Sequence, residues 1–190
     1  MHLDTSVHQL FAIPVWEVDL REALADRHER LVELALDAIR NHPAPQAPFR
    51  QSLPNLAPLS DEWSEAAGLR VSGAQVVLDD HSRRRSYRIR DLRSWVLAVD
   101  GSDAWDAEIR RFTLLHNHPN STLSSVLYLD IPGDIEGSPD SGTVFSDPLG
   151  HVTRETSGNG MTVIPGKTLR MLVFPSWLEH GPARPLQPTM

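Results

Sequence analysis

The stretch RFTLLHNHPNSTLSSVLYLDIP carries two imidazoles, His116 and His118, one residue apart. If residues 112–118 are extended, side chains alternate between faces, and both rings share one face with Phe112 and Leu114. Two imidazoles on one face can hold a divalent metal but leave most of its coordination sphere open. Histidines at this spacing also occur on surface loops without any metal. A third ligand must come from elsewhere, and the best candidate is His180, in MLVFPSWLEHGP, which also follows an apolar strand-like run. Three protein ligands on one side of an ion leave positions for substrate, cosubstrate and dioxygen, as a catalytic site requires.

The rest of the composition narrows the chemistry. The chain has 190 residues and no cysteine, so disulfides and thiolate ligands are excluded and any metal is held by histidines and carboxylates. Its size suits one domain with a real core, here taken as residues 1–190. A formal charge of −7 argues against nucleic acid as a partner. No apolar run approaches the roughly 20 residues of a membrane span, and the N-terminus shows no basic region followed by a long apolar one. A cytoplasmic protein is the expectation, with a homodimer left open.

Two textures position the histidines. Over residues 1–70, QLFAIPVWEVDL reads as a strand, and REALADRHERLVELALDAIRNH as one helix. Leu24, His28, Leu31, Ala35 and Ile39 form its apolar stripe, Asp19 with Glu22 is a weak capping box, and Pro43 ends it. His28, near that stripe, reads as a partly buried boundary histidine. HPAPQAPFRQSLPNLAPLS is a proline-rich loop, and SDEWSEAAG a short helix ending before Gly68. Over residues 71–190, short β-prone runs follow one another: AQVVL, SYRIR, SWVLAV, FTLLH, LSSVLYLDI, GTVFS, MTVI and TLRMLVF. Spacings near 10 residues indicate a sandwich or barrel. The expected architecture is mainly β, an N-terminal helix packed on a jelly roll.

Three ordered segments, HNHPNSTLSSVLYLDIP, TVFSDP and VIPGKTLRMLVFPSWLEH, resemble the bacterial 2-oxoglutarate/Fe(II) oxygenases, and LFAIPVW is similar to that family's opening. The likeness is dense from Trp95 to His180 and thin between residues 20 and 90. It implies a cupin-like double-stranded β-helix with Fe(II) at its wide mouth. It also implies oxidative decarboxylation of 2-oxoglutarate coupled to oxidation of a small-molecule or amino-acid-like substrate by dioxygen. On this resemblance His116 and His180 are iron ligands, and His118 stands where the wider superfamily has a carboxylate, with Asp130, Asp147 and Glu179 as fallback carboxylates. No catalytic residue beyond the metal ligands is implied.

The resemblance also implies an arginine, about ten residues past the distal histidine, that grips the far carboxylate of 2-oxoglutarate in bidentate fashion. The chain instead reads HGPARPLQPTM. Arg184 and Arg170 are the substitutes, with Tyr128 and Ser124 as hydrogen-bonding groups for the cosubstrate. Asn120, Trp177 and Arg85 are expected on the substrate side. Arg85 lies in SRRRSYRIR, which is either a solvated edge strand or an anion-binding lip. Two other readings stay open: a three-histidine cupin-like dioxygenase, isomerase or lyase without 2-oxoglutarate, and a non-catalytic jelly-roll binding module.

Overall fold

The computed structural model describes residues 13–44, 50–52, 68, 75, 93–99, 115–148 and 160–183. Among these, the chain is mainly β, with antiparallel sheets and a helical segment near the N-terminus. Strand β1 (Trp16–Asp19) leads into a short helix α1 (Arg21–Leu24), a 3₁₀ turn (Ala25–Arg27) and helix α2 (His28–Asn41). Then come β2 (Arg50–Gln51), β3 (Leu97–Ala98), β4 (Leu123–Leu127), β5 (Thr143–Ser146), β6 (Met161–Ile164), β7 (Arg170–Pro175) and β8 (His180–Pro182).

Three layers result. One sheet has the order β1-β7-β4 and another β6-β5-β8, while β2 and β3 form a separate pair. The central strand β7 reads RMLVFP and is apolar on both faces because both are covered. Met171 and Val173 face the helical layer, packing with Leu20, Leu24 and Leu31. Leu172 and Phe174 face the other sheet, packing with Phe145 and Leu178. Residues two apart thus supply two different cores, as strand alternation requires.

The helical stripe buries Leu24, Leu31, Ala35 and Ile39 as its spacing predicts, together with Leu34 and Ala38. The single expected helix is interrupted by the 3₁₀ turn. The interruption coincides with a cross-link from helix to sheet, the His28 imidazole Nε2 lying 2.6 Å from the Leu129 carbonyl oxygen. That contact leaves His28 half-buried, as expected. The Asp19–Glu22 box does not form. Asp19 Oδ1 accepts the Arg21 backbone N–H at 3.0 Å and both its oxygens take the Arg21 guanidinium, which holds its carboxyl at about 2. Helix α2 ends at Asn41, two residues before Pro43, whose backbone bridges Ser52.

Several expected strands are shorter than predicted, SWVLAV contributing only Leu97–Ala98. SYRIR lies outside the described residues. Of AQVVL only Gln75 is described, and its backbone is helical; of SDEWSEAAG only Gly68 is described, also helical. Conversely, β8 reads HGP, a poor strand by composition, and exists because neighbours pair with it on both edges. Two glycines are set by close approach. A Cβ on Gly142 would meet the Ile164 carbonyl oxygen at 2.2 Å, and one on Gly166 the Ser141 carbonyl oxygen at 2.3 Å. No helix among the described residues is long and apolar enough to cross a membrane.

Candidate metal centre

His180 opens β8 directly opposite Phe145 of β5. On its other edge it pairs with His116. The His116 N–H donates to the His180 carbonyl at 3.0 Å and the His180 N–H to the His116 carbonyl at 2.9 Å. The two residues therefore project rings to the same face of the sheet. Phe112 and Leu114 lie outside the described residues, and His118 is not in a strand. It reaches its neighbours because its N–H donates to the Ser176 carbonyl at 2.9 Å. Its own carbonyl accepts from Ser121 at 3.0 Å across the turn at Pro119–Asn120.

The three imidazoles converge. Ring centroids lie 4.9 Å apart for His116 and His118, 4.6 Å for His116 and His180, and 5.3 Å for His118 and His180. Their ligand atoms all fall within 4.8 Å of one another, and no carboxylate of the described residues joins them. Exposure is graded: His116 is exposed, His118 half-buried, and His180 buried at 5%. The centre thus has a dry floor and an open side. Phe174 makes an edge contact with His180 at 4.6 Å, and Phe145 lies at 6.4 Å.

The electrostatics favour neutral rings. Burial pushes the His180 pKa down to about 4 against the opposing pull of the Leu178 carbonyl, and nearby His116 and His118 add to the lowering. Burial, and then His116, also lower that of His118. At neutral pH these rings are lone-pair bases rather than cations. The Leu178 carbonyl lies 2.8 Å from His180 Nδ1 and assigns the proton there, leaving Nε2 with its lone pair for a metal. A convergent set of three imidazoles fits one divalent ion.

The remaining predicted residues are dispersed. Ser124 Oγ is hydrogen-bonded to the fully buried Ser176 Oγ at 2.8 Å. The Tyr128 hydroxyl is bonded to Thr143 Oγ1 at 2.6 Å, and burial lifts its pKa to about 12. The Arg170 guanidinium is engaged by Glu17 and lies 3.7 Å from Asp19 Oδ2. Asn120 is exposed in its turn, whereas Arg184 and Arg85 lie outside the described residues. Trp177, 53% exposed, lines an open cleft of about 340 Å³ with Asn117, Ser146, Asp147, Pro148 and Glu179. Asn117, Ser146 and Glu179 each neighbour an inward-facing residue in sequence, so alternation puts this cleft on the reverse face from the histidines. Two of the fallback carboxylates, Asp147 and Glu179, line that cleft rather than joining the cluster, and Asp130 is exposed.

Two neighbours of the centre were not anticipated: Ser176, whose carbonyl receives His118, and Trp95, whose ring meets the His118 ring edge-on at 5.4 Å. Ser176 was visible in FPSWLEH, two residues from Phe174 and therefore on its face.

Residues 106–185, which hold all three histidines, match the family model described as "Putative 2OG-Fe(II) oxygenase". This segment is thus similar to the 2OG-Fe(II) oxygenases. No curated protein matches the chain. The family match covers β4 to β8 and the histidine centre but neither the helical layer nor the segment that carries Trp95.

Proposed function

We propose that this chain is a non-haem Fe(II) oxygenase that uses 2-oxoglutarate and dioxygen to hydroxylate or otherwise oxidise a small-molecule or amino-acid-like substrate. One observation carries this reading: three imidazoles converge within 4.8 Å inside the segment that matches the family. The strand order supports a double-stranded β-helix, since β6-β5-β8 continues through His116 and lies across a shared core from β1-β7-β4.

His116, His118 and His180 would hold the ion. Bound Fe(II) supplies the redox chemistry that couples decarboxylation of 2-oxoglutarate to substrate oxidation. The protein's own contribution is orientation and dryness. Leu178 fixes the His180 tautomer, and the Phe174 and Phe145 rings keep water from the floor of the site. The far carboxylate of 2-oxoglutarate needs a cation, and Arg170 is badly placed for it. Phe174 touches His180, and Arg170 stands at the other end of β7, on the order of 13 Å away at about 3.3 Å per residue. Arg184, just beyond β8, is the preferred anchor.

Anaerobic loading with Fe(II) followed by 2-oxoglutarate tests the proposal. A weak visible charge-transfer band is expected, and dioxygen should then convert 2-oxoglutarate to succinate. Absence of both would sink the 2-oxoglutarate reading. A second reading, a three-histidine metalloenzyme without 2-oxoglutarate, is favoured by one fact. The third convergent group is an imidazole, with no carboxylate among the described residues at the cluster. Iron binding without the band, and without succinate, supports it.

A further inference from the structure

We infer that Trp95, which lies outside the family-matched segment, is a positioning residue of the histidine centre. It holds the His118 ring in the orientation that completes the ligand set. This rests on the reading that the cluster binds a metal.

The chain of contacts starts in the helical layer. Val96 is buried against Ala35, Ala38 and Ile39 of α2. Its backbone is locked from the other side by Ser52, itself fully buried. The Ser52 N–H donates to the Val96 carbonyl at 3.0 Å, and the Val96 N–H donates to Ser52 Oγ at 3.0 Å. With Val96 pinned by both a helix face and a pair of hydrogen bonds, Trp95 has little freedom. Alternation sends its side chain away from α2, and there its ring meets His118 edge-on, centroids 5.4 Å apart and planes at 61°.

His118 is the ligand that needs such support. His116 and His180 are fixed to each other by paired backbone bonds, and the His180 ring is held by Leu178 and Phe174. His118 has irregular backbone, and among the described residues no hydrogen bond to a ring nitrogen sets its orientation. Its ring contacts are Trp95, His116 and His180. Two of these are fellow ligands, so Trp95 is the neighbour that can orient the ring without itself binding the ion. Groups that orient metal-bound imidazoles change metal affinity by roughly 10–100-fold when removed.

The test uses the full chain titrated with Co(II), whose visible ligand-field bands report the coordination geometry. Trp95→Phe, which keeps an aromatic edge, should bind within about threefold of the unaltered protein and with the same spectrum. Trp95→Leu should bind roughly tenfold more weakly with shifted bands, while its far-ultraviolet circular dichroism stays that of the unaltered protein. Equal affinity and identical bands for Trp95→Leu overturn the inference and leave the metal centre standing. No Co(II) binding by the unaltered protein overturns the centre, and this inference with it. A second measurement covers a Trp95→Leu chain that fails to fold. Co(II) should quench part of the tryptophan fluorescence, and Trp95→Phe should lose most of that quenching. Undiminished quenching in Trp95→Phe means that Trp95 is not beside the ion, and the inference fails.

Discussion

The two ends of β7 differ in how their polar groups are satisfied. At the Arg170 end, a guanidinium meets Glu17 and Asp19, and Asp19 in turn grips Arg21, so opposite charges cancel among protein groups. At the Pro175 end, three imidazoles converge within 4.8 Å, two of them held neutral by burial, with no carboxylate of the described residues among them. Both ends border the same core, yet only the second has donor atoms whose natural partner is a cation from outside. A cluster of charges is thus a weak sign of a site when it balances internally, and a cluster of uncharged bases is a stronger one.

The sharpest way to break this contrast is to remove a ligand. His180→Ala should abolish one-site binding of Fe(II) or Co(II) in a calorimetric titration, whereas Arg170→Gln should leave metal affinity unchanged. Full affinity in His180→Ala would remove the ligand assignment altogether. Next in size is the floor between the two ends. Phe174 is fully buried, so Phe174→Ala should cost about 3–5 kcal/mol in denaturant unfolding. Its Phe145 and His180 contacts would be left facing a void. A loss under about 1 kcal/mol would mean that the floor is not packed as described.

A pH effect should follow from the histidine end alone. The folded pKa of His180 is about 4, below the ordinary 6.5, so the unfolded chain takes up its proton more readily. That stability is fully present above about pH 6.5 and is lost as pH falls towards 4. Thermal melts of the metal-free protein should therefore fall more steeply across this window than those of His180→Asn. Identical profiles would place His180 in water. The smallest effect belongs to the charged end. Arg170→Gln breaks a partly exposed ion pair and should cost no more than about 1 kcal/mol, largely suppressed by high salt.

Much of the centre was legible in the sequence, for physical reasons. The spacing of His116 and His118 and a distal histidine after an apolar strand are local facts, and motif order carried the rest. The helical stripe was legible because burial imposes its own period, which the 3₁₀ turn at Ala25–Arg27 leaves largely in place. Illegible were the features decided by long-range pairing. HGP becomes a strand only between Phe145 and His116. His118 joins the cluster through a Ser176 carbonyl rather than through strand alternation. Trp95 sits in SWVLAV, where nothing local indicates that Val96 is taken by α2. Arg170 shares the inner face of Leu172 and Phe174 as its spacing suggested, but sequence could not show that β1 would meet it with two carboxylates.

The reciprocal backbone pairing of His116 with His180 also orders events in time. Its partners are separated by β4, β5, β6 and β7, so during synthesis the first two histidines emerge long before the third. Contacts between such distant segments form late, after the loop-closure cost of everything between them has been met. Of the centre's three ligands a nascent chain can offer at most the HNH pair, a weak chelator that copper or zinc would occupy in preference to iron. Any metal selectivity of the three-histidine centre therefore belongs to the closed fold, and an ion that uses all three rings must arrive after folding.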